Sequence, residues 1–411
     1  MCRALPNPCD HNPARLVPNF GTTIALRITV TESDMERIYD LVVVGAGFAG
    51  LRCAKTAALR GLKVLVIDQK SRAGARVRTT GILVKEAAEE MDFPAHLSRK
   101  IPGVRLYAPS GTSINLTSPG YVFHATDTPA LLDWMAEETS RAGAEVRFGD
   151  AFRGAAEISG GYELSGLDIK TRYLVGADGA KSRVAESLEL SRNRHFLHGV
   201  ELGIAYEDAN VDPHFLHCFL TRRVAPGYLT WAVPGPKHIQ IGLAAKAGAK
   251  PSIEEATQLV RKALGITRIV PVDRRAGVIP CGGRLSRIGN PRALLIGDAA
   301  GMVSPLTAGG IQPALHFGRQ AGQAVAAYLQ DGGPSPAALL ARAAPRYGLK
   351  RLQRIAMDVG VPDFVWDVAI RTRTMRSLAQ WLYFHRRAPG PRLEPRELDL
   401  LAARYSADAG A

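Results

Sequence analysis

The stretch Leu41–Gly50, LVVVGAGFAG, limits what this chain can fold into more than any other segment. Apolar residues lead into Gly45, Gly47 and Gly50, spaced G-x-G-x-x-G. AKTAALRGL follows, and a second apolar run, KVLVID, ends on Asp68. An apolar strand, a glycine turn, a helix and an acid-tipped strand predict a β-α-β unit that binds a dinucleotide. Gly45 lets the chain turn sharply out of the strand, Gly47 lets the backbone approach a pyrophosphate, and Gly50 lets the helix pack close to the strand. Phe48 and Ala49 open the helix, whose free N–H groups and positive dipole end face the phosphates. Asp68 can accept both hydroxyls of an adenosine ribose, and Gln69 beside it is placed in the same site.

The pattern returns twice. Asp178-Gly179 lies in YLVGADGAKSRVAE, and Asp298 lies in ALLIGDAAGMVSPLTAGGIQPALHFGRQA. Each acid ends an apolar strand and precedes small residues and a helix, so the chain comes back to one phosphate–sugar ligand. Asp298 can hydrogen-bond the hydroxyls of a ribityl chain. Gly309-Gly310 lets backbone amides approach a planar ring, and a helix from Ile311 points its positive end there.

Composition narrows the classes. At 411 residues the chain has room for two domains or one large discontinuous one, and 46% apolar with 22% charged residues is ordinary for a soluble globular protein. No apolar run reaches the length of a membrane span. The five cysteines are scattered without metal or CxxC spacing. That predicts free thiols, no metal and a reducing, cytoplasmic setting. The net charge of +14 owes much to the C-terminal part, from Arg342 to Arg396. No aromatic-and-basic module supports nucleic acid as a partner. Peripheral contact with an anionic membrane surface and plain solvated arginine faces both stay open, the second being the simpler.

Residues 1–34 are rich in Pro and Asn and lack an apolar period, which reads as a disordered extension or a mis-assigned start before Met35. Strands are expected at 103–108, 112–117, 120–124 and 167–177, with a hairpin turn at Gly160-Gly161. Helices are expected from Thr128 (as N-cap) to Arg141, over 251–264, over 310–329, and across 336–387. Residues 195–275 alternate apolar and polar as an antiparallel sheet does.

These motifs, from Glu36 to about Leu329, resemble the FAD-dependent superfamily built like p-hydroxybenzoate hydroxylase. The resemblance implies an α/β fold. A discontinuous Rossmann-type FAD-binding domain (36–190 and 276–330) would carry an inserted antiparallel β-sheet substrate domain (191–275) and a helical C-terminal region (331–411). It assigns Gly45, Gly47, Gly50 and Asp68 to the ADP half of one FAD and Arg78 to its phosphates. It assigns Asp298, Gly309 and Gly310 to the ribityl and ring end, and Asp178-Gly179 to a motif tied to FAD and, in hydroxylases, to NAD(P)H. With no second G-x-G-x-x-G, NAD(P)H or another reductant would have no Rossmann domain of its own.

The loop GDAAG-MVSPLTAGGI, with Gly301 where aromatic hydroxylases carry a histidine, is similar to the geranylgeranyl reductase branch. Trp231 and Pro234 fit that branch's Y-x-W-x-F-P pattern. Leu229 stands in place of the tyrosine and Val233 in place of the phenylalanine. Tyr228 is one residue off, a slip that on a strand turns it to the opposite face. Val77-Arg78-Thr79 replaces the branch's Val-Arg-Cys. The branch implies reduction of C=C bonds in an isoprenoid or similar apolar substrate by hydride from reduced flavin. The alternative is a monooxygenase or halogenase acting on an aromatic or polyketide metabolite, with Lys85 weighed as its lysine and read as a surface residue. Trp231 and Tyr228 are expected in the substrate pocket. Phe215, Phe219, Phe364, Trp366, Trp381, Tyr383 and Phe384 are weighed as linings. His124, His195, His198, His214, His217 and His238 are weighed as acids or bases. No residue is assigned as the catalytic group.

Overall fold

The computed structural model describes residues 38–206 and 211–384. The expectations for residues 1–34 and for Arg386, Arg387, Arg392 and Arg396 lie outside those residues. In chain order the strands begin β1 (Ile38–Val44), β2 (Val64–Asp68), β3 (Ile82–Leu83), β4 (Ser98–Ile101), β5 (Gly103–Tyr107) and β6 (Ser113–Thr117). Next come β7 (Phe123–Thr126), β8 (Glu145–Phe148), β9 (Ala155–Ile158), β10 (Gly161–Leu164), β11 (Ile169–Gly176) and β12 (Phe196–Ile204). The last are β13 (Phe215–Phe219), β14 (Thr230–Pro234), β15 (Ile239–Lys246), β16 (Pro271–Pro280), β17 (Gly289–Asn290) and β18 (Ala293–Leu295). The helices are α1 (Phe48–Ala58), α2 (Lys85–Glu89), α3 (Thr128–Arg141), α4 (Arg183–Ser187) and α5 (Ile253–Leu264). They continue with α6 (Ile311–Asp331), α7 (Pro336–Ala343), α8 (Gly348–Val359), α9 (Asp363–Ala369) and α10 (Arg373–Phe384).

The first sheet runs β17-β18-β11-β1-β2-β8, and its β18, β11, β1, β2 and β8 are parallel. Leu41–Val44 and Val64–Ile67 are buried throughout, as strands covered on both faces must be. One cover is α1, on which α6 lies close. A Cβ at Gly318 would come within 2.6 Å of the Ala49 carbonyl, and one at Gly322 within 2.5 Å of the Cys53 carbonyl. The i, i+4 glycines of GRQAG thus let the two helix backbones nearly touch. Helix α3 is capped by Asp127, whose Oδ1 accepts from Ala130 N, not by Thr128 as expected. The Thr128 hydroxyl is buried and instead bonds Thr126 and the Thr80 carbonyl.

The second sheet runs β16-β12-β15-β14-β13-β5-β6. Two expectations change here. The sheet is not confined to 191–275, because β5 and β6 join it from upstream and β16 runs through the 275/276 boundary. It is also not wholly antiparallel, since β5 lies parallel to β13. The reason is that β13 is buried along its length and would otherwise be an unpaired edge. A small third sheet, β3-β7-β4, takes the strand expected at 120–124, shifted to Phe123–Thr126 by a turn in which Tyr121 N donates to Ser118 O. No helix among the described residues is long and apolar enough to cross a membrane.

Candidate active site and cofactor cleft

Where β1, β11 and β18 end, a cavity of about 1760 Å³ opens between the first sheet, the second sheet and the C-terminal helices. A pocket for one small ligand is typically about 300–1,000 Å³, so this one has room for a cofactor and a second molecule. Gly45, Gly47, Phe48, Ala49, Asp68 and Gln69 line one end, and Gly50 lies just behind them. The three glycines are needed for three different reasons. Gly45 has φ of +110°, and a Cβ there would stand 2.4 Å from the Ala177 carbonyl. A Cβ on Gly50 would stand 1.9 Å from the Gly45 carbonyl, so only glycine lets α1 start this close to β1. Gly47 faces open space, with nothing within 4 Å of its Cβ position, so its backbone is bared to the cavity. Helix α1 has no side-chain cap, and its first internal bond is Leu51 N to Gly47 O. The N–H groups of Phe48, Ala49 and Gly50 therefore lack helix acceptors, which suits an anion. Asp68 Oδ2 accepts from Ala46 N at 2.8 Å and Oδ1 from Lys70 N at 2.9 Å. That fixes the carboxylate at the end of β2 and leaves lone pairs for further donors.

Asp298 stands in the same cavity, in the short turn Gly297–Ala300 that follows β18. No donor among the described residues reaches its carboxylate, and burial pushes its pKa up to about 6. Gly310 keeps it open, since a Cβ there would sit 3.3 Å from Asp298 Oδ1. Gly309, Gly310 and Ile311 line the cavity, and α6 begins there without a side-chain cap. Asn193 Nδ2 donates to Asp298 O at 2.8 Å and to Ala180 O at 3.1 Å, tying the second and third motifs together. Asp178 is also bonded within its own loop. Its carboxylate accepts from Ser182 Oγ, Arg183 N and Val184 N, which fixes it at the N-terminus of α4. Asp178 and Gly179 form part of the wall, but the acid positions its loop. Two uncapped helix N-termini and an unpartnered carboxylate in one cavity fit a ligand with a diphosphate and a hydroxylated chain, as FAD has.

The second sheet roofs the cavity with one cross-strand row. Leu106, Cys218, Trp231, Gly242, Glu201 and Arg275 lie directly opposite one another across β5, β13, β14, β15, β12 and β16. The five side chains of this row line the cavity. At Gly242 a Cβ would meet the Trp231 ring at 2.5 Å, so glycine lets the indole lie across β15. The indole Nε1 then donates to Glu201 Oε2 at 3.0 Å, and Thr80 Oγ1 donates to the same oxygen at 2.5 Å. Arg275 faces Glu201 at 3.6 Å, with both side chains nearly buried at 8% and 7% exposure, and also donates to Thr79 O. Burial pushes the Glu201 pKa up, against the pull of Thr80, Arg275 and Trp231. This cluster joins the roof to the loop that carries Arg78, itself exposed in the cavity wall. Sequence reading missed it, although a glutamate and an arginine on apolar strands were a visible signal.

For Tyr228 only the strand-slip argument changes. Because β14 begins only at Thr230, strand alternation does not reach it. Its ring lines the cavity and its hydroxyl donates to Thr307 O at 2.6 Å. Trp366, Trp381 and Tyr383 line the cavity as well. Phe215 lies under the Arg105 guanidinium, Phe219 stacks on Tyr107, and Phe384 packs on Tyr121 and Phe123, and none of the three is in the cavity wall. Phe364 is exposed. Of the six histidines weighed, only His198 is in the wall, which also includes His316 of α6. Burial lowers His124 and His217 to about 4. Lys85 donates to Gly120 O at 2.8 Å, outside the cavity wall. Gly301 has φ of +67°, and a Cβ there would meet Gly283 O at 2.5 Å, so this loop cannot hold a histidine without moving.

The profile of the FAD binding domain family matches residues 39–346. The chain is 31% identical over 314 residues to digeranylgeranylglycerophospholipid reductase 1 of Methanothermobacter thermautotrophicus, an alignment covering 71% of this chain and 78% of that protein. It is 29% identical over 313 residues to geranylgeranyl diphosphate reductase of Rhodobacter capsulatus, covering 72% and 77%. Among solved structures, a geranylgeranyl bacteriochlorophyll reductase-like protein from Thermoplasma acidophilum superposes with a TM-score of 0.75 at 21% identity, over 85% of this chain and 97% of that one. At that identity the likeness speaks for the fold alone. The glycine fingerprint, the acid-tipped strands that converge on one cavity, and these matches agree that the chain is an FAD-dependent oxidoreductase belonging to the FAD-binding family, in its geranylgeranyl reductase branch.

Proposed function

We propose that this enzyme saturates C=C bonds in an isoprenoid chain, drawing electrons from NAD(P)H or another reductant. One observation carries the reading. Past the Gly309–Ile311 loop the cavity continues between apolar walls, including Leu216, Leu220, Val233, Trp366, Leu378 and Leu382. Such walls suit a long hydrocarbon and keep water from the reacting carbons. The relatives named for prenylated phospholipids and prenyl diphosphates support the same class. Bound and reduced, FAD supplies hydride. The chain's residues hold the alkene and admit one proton to its second carbon. Trp231, fixed by Glu201, presents a rigid face to the substrate side, and Tyr228 closes the loop end through Thr307. Contact with a membrane, where such substrates dissolve, belongs to this reading.

The test is anaerobic. Holoenzyme reduced with dithionite is mixed with geranylgeranyl diphosphate or a prenylated glycerophospholipid, and products are weighed by mass spectrometry. Gain of two hydrogens per double bond is expected. Prenyl substrates recovered unchanged, together with oxygen-dependent modification of aromatic compounds in air, would overturn the reading.

A further inference from the structure

Helices α8 and α9 are built inside out for a water-facing position. On α9, Asp363 and Asp367, one turn apart, are tied to neighbouring segments of the protein. Asp363 accepts from Arg222 N at 2.6 Å and from Thr221 Oγ1, and Asp367 accepts from Ser110 N at 2.8 Å. Phe364 and Val368, also one turn apart, stand to solvent at 68% and 65% exposure, and no residue of the helix is buried. On α8 the buried Arg354 bonds Gly227 O and Asp358, and Lys246 Nζ donates to Asp358 O. Leu349, Leu352, Ile355 and Val359 of the same helix are 61 to 73% exposed. Outside the four C-terminal helices only Leu59 and Val272 are exposed large apolar residues among the described ones. A helix in water turns its apolar face inward, whereas a helix lying in a lipid interface turns it outward.

Charge says what the outer medium is. The only acids between 336 and 384 are Asp358, Asp363 and Asp367, and all three are taken up in bonds to protein. Arg342, Arg346, Arg351 and Arg373 are exposed on the same segment. An apolar face beside arginines with no carboxylate partner among the described residues complements anionic lipid headgroups over acyl chains. The inner flank of the same helices, with Lys350, Gln353 and Met357 of α8 and Trp366 of α9, walls the cavity.

We propose that α8 and α9 dock this enzyme on an anionic bilayer, bringing the cavity they wall against the membrane that holds its substrate. The docking stands on the exposed faces alone, while the delivery of substrate rests on the isoprenoid reading above. The test uses full-length, FAD-loaded protein and vesicles of phosphatidylcholine with about one-third phosphatidylglycerol. Wild type should float with these vesicles, and less with phosphatidylcholine alone or in high salt. None of the four residues changed in Phe364→Ser/Val368→Ser and Leu352→Asp/Val359→Asp lines the cavity. Each variant should keep its flavin and its far-UV spectrum and float on the order of tenfold more weakly. Each should still reduce a detergent-dispersed prenyl alcohol and fail on the same substrate in vesicles. The docking is overturned by a wild type that does not float, by variants that float as well as wild type, or by a dimer that Phe364→Ser/Val368→Ser makes monomeric. Flotation without reduction of any prenyl substrate would sink the isoprenoid reading and leave the docking intact, and reduction in detergent without flotation would do the reverse.

Discussion

Replacing Asp298 by asparagine should stabilise the flavin-free protein and weaken the flavin-bound one. In the flavin-free protein no donor among the described residues reaches this carboxylate, and desolvation raises its pKa from 3.8 to about 6. At about 1.36 kcal/mol for each pKa unit, the native state carries a penalty of at most roughly 3 kcal/mol when the group is ionised. Water in the open cavity screens part of this, so about 1–3 kcal/mol is expected. The native form holds its proton more tightly than the unfolded chain. The penalty is therefore absent below the ordinary carboxylate value, grows as pH rises from about 4 to about 6, and is complete above that. Urea unfolding of the apoprotein should show Asp298→Asn more stable than wild type near pH 8, with the gap closing toward about pH 4. Losing a charged acceptor from a donor hydroxyl costs about 1.5–3 kcal/mol, so FAD affinity should fall roughly 10- to 100-fold in titrations followed by flavin fluorescence. Equal apoprotein stability at both pH values, or unchanged FAD affinity, would refute the argument that this acid is held unpaired for a ligand.

The fingerprint glycines should separate by what their Cβ would meet. Gly47→Val should fold with an unchanged melting temperature and lose flavin, seen as absorbance after gel filtration. Gly50→Ala should lose about 1–3 kcal/mol of stability in urea, because its methyl group enters the Gly45 carbonyl. Glu201→Leu removes the oxygen that Trp231 Nε1 and Thr80 Oγ1 share, while Arg275 keeps Asp273 at 2.6 Å, so it should cost about 1–3 kcal/mol, with a shift in tryptophan emission as Trp231 loses its acceptor. Gly301→His should destabilise the apoprotein as well as the holoprotein, since its backbone is left-handed and its Cβ meets Gly283 O, and a differential scan of both forms would check it.

The parts legible in the sequence are those fixed by local physics. The turn at Gly45, the acid ending β2 and the uncapped start of α6 each depend on a few neighbouring residues, and each lies where the pattern places it. Asp178 shows the limit. Its motif is intact, yet three donors from its own loop fix its carboxylate, and a run of letters does not tell a ligand-facing acid from one that caps a helix. Helix α3 makes the same point, because Asp127 and Thr128 are both good caps, and the choice was made by Thr80 and Thr126 reaching Thr128 from elsewhere.

What the sequence hid is non-local pairing. Strand β13 needed a partner on its free side, and β5 supplied it from more than 100 residues upstream, so the roof of the cavity crosses any boundary drawn by counting along the chain. Once that sheet is assembled, its cross-strand row explains several residues at once. Gly242 is small because Trp231 must lie over it, Trp231 must lie over it to reach Glu201, and Glu201 is tolerated in the interior because Thr80 and Arg275 meet it from the loop next to Arg78 and from β16. The row thereby couples the roof to the loop next to Arg78. A change at Gly242 should be felt at the cofactor although no atom of that residue lines the cavity. Gly242→Ala should displace the indole, weaken its bond to Glu201 and loosen the Thr79–Thr80 loop, and flavin fluorescence in the variant would report it. If that signal matched wild type while tryptophan emission moved, the row would be a packing feature of the roof and the coupling would fail.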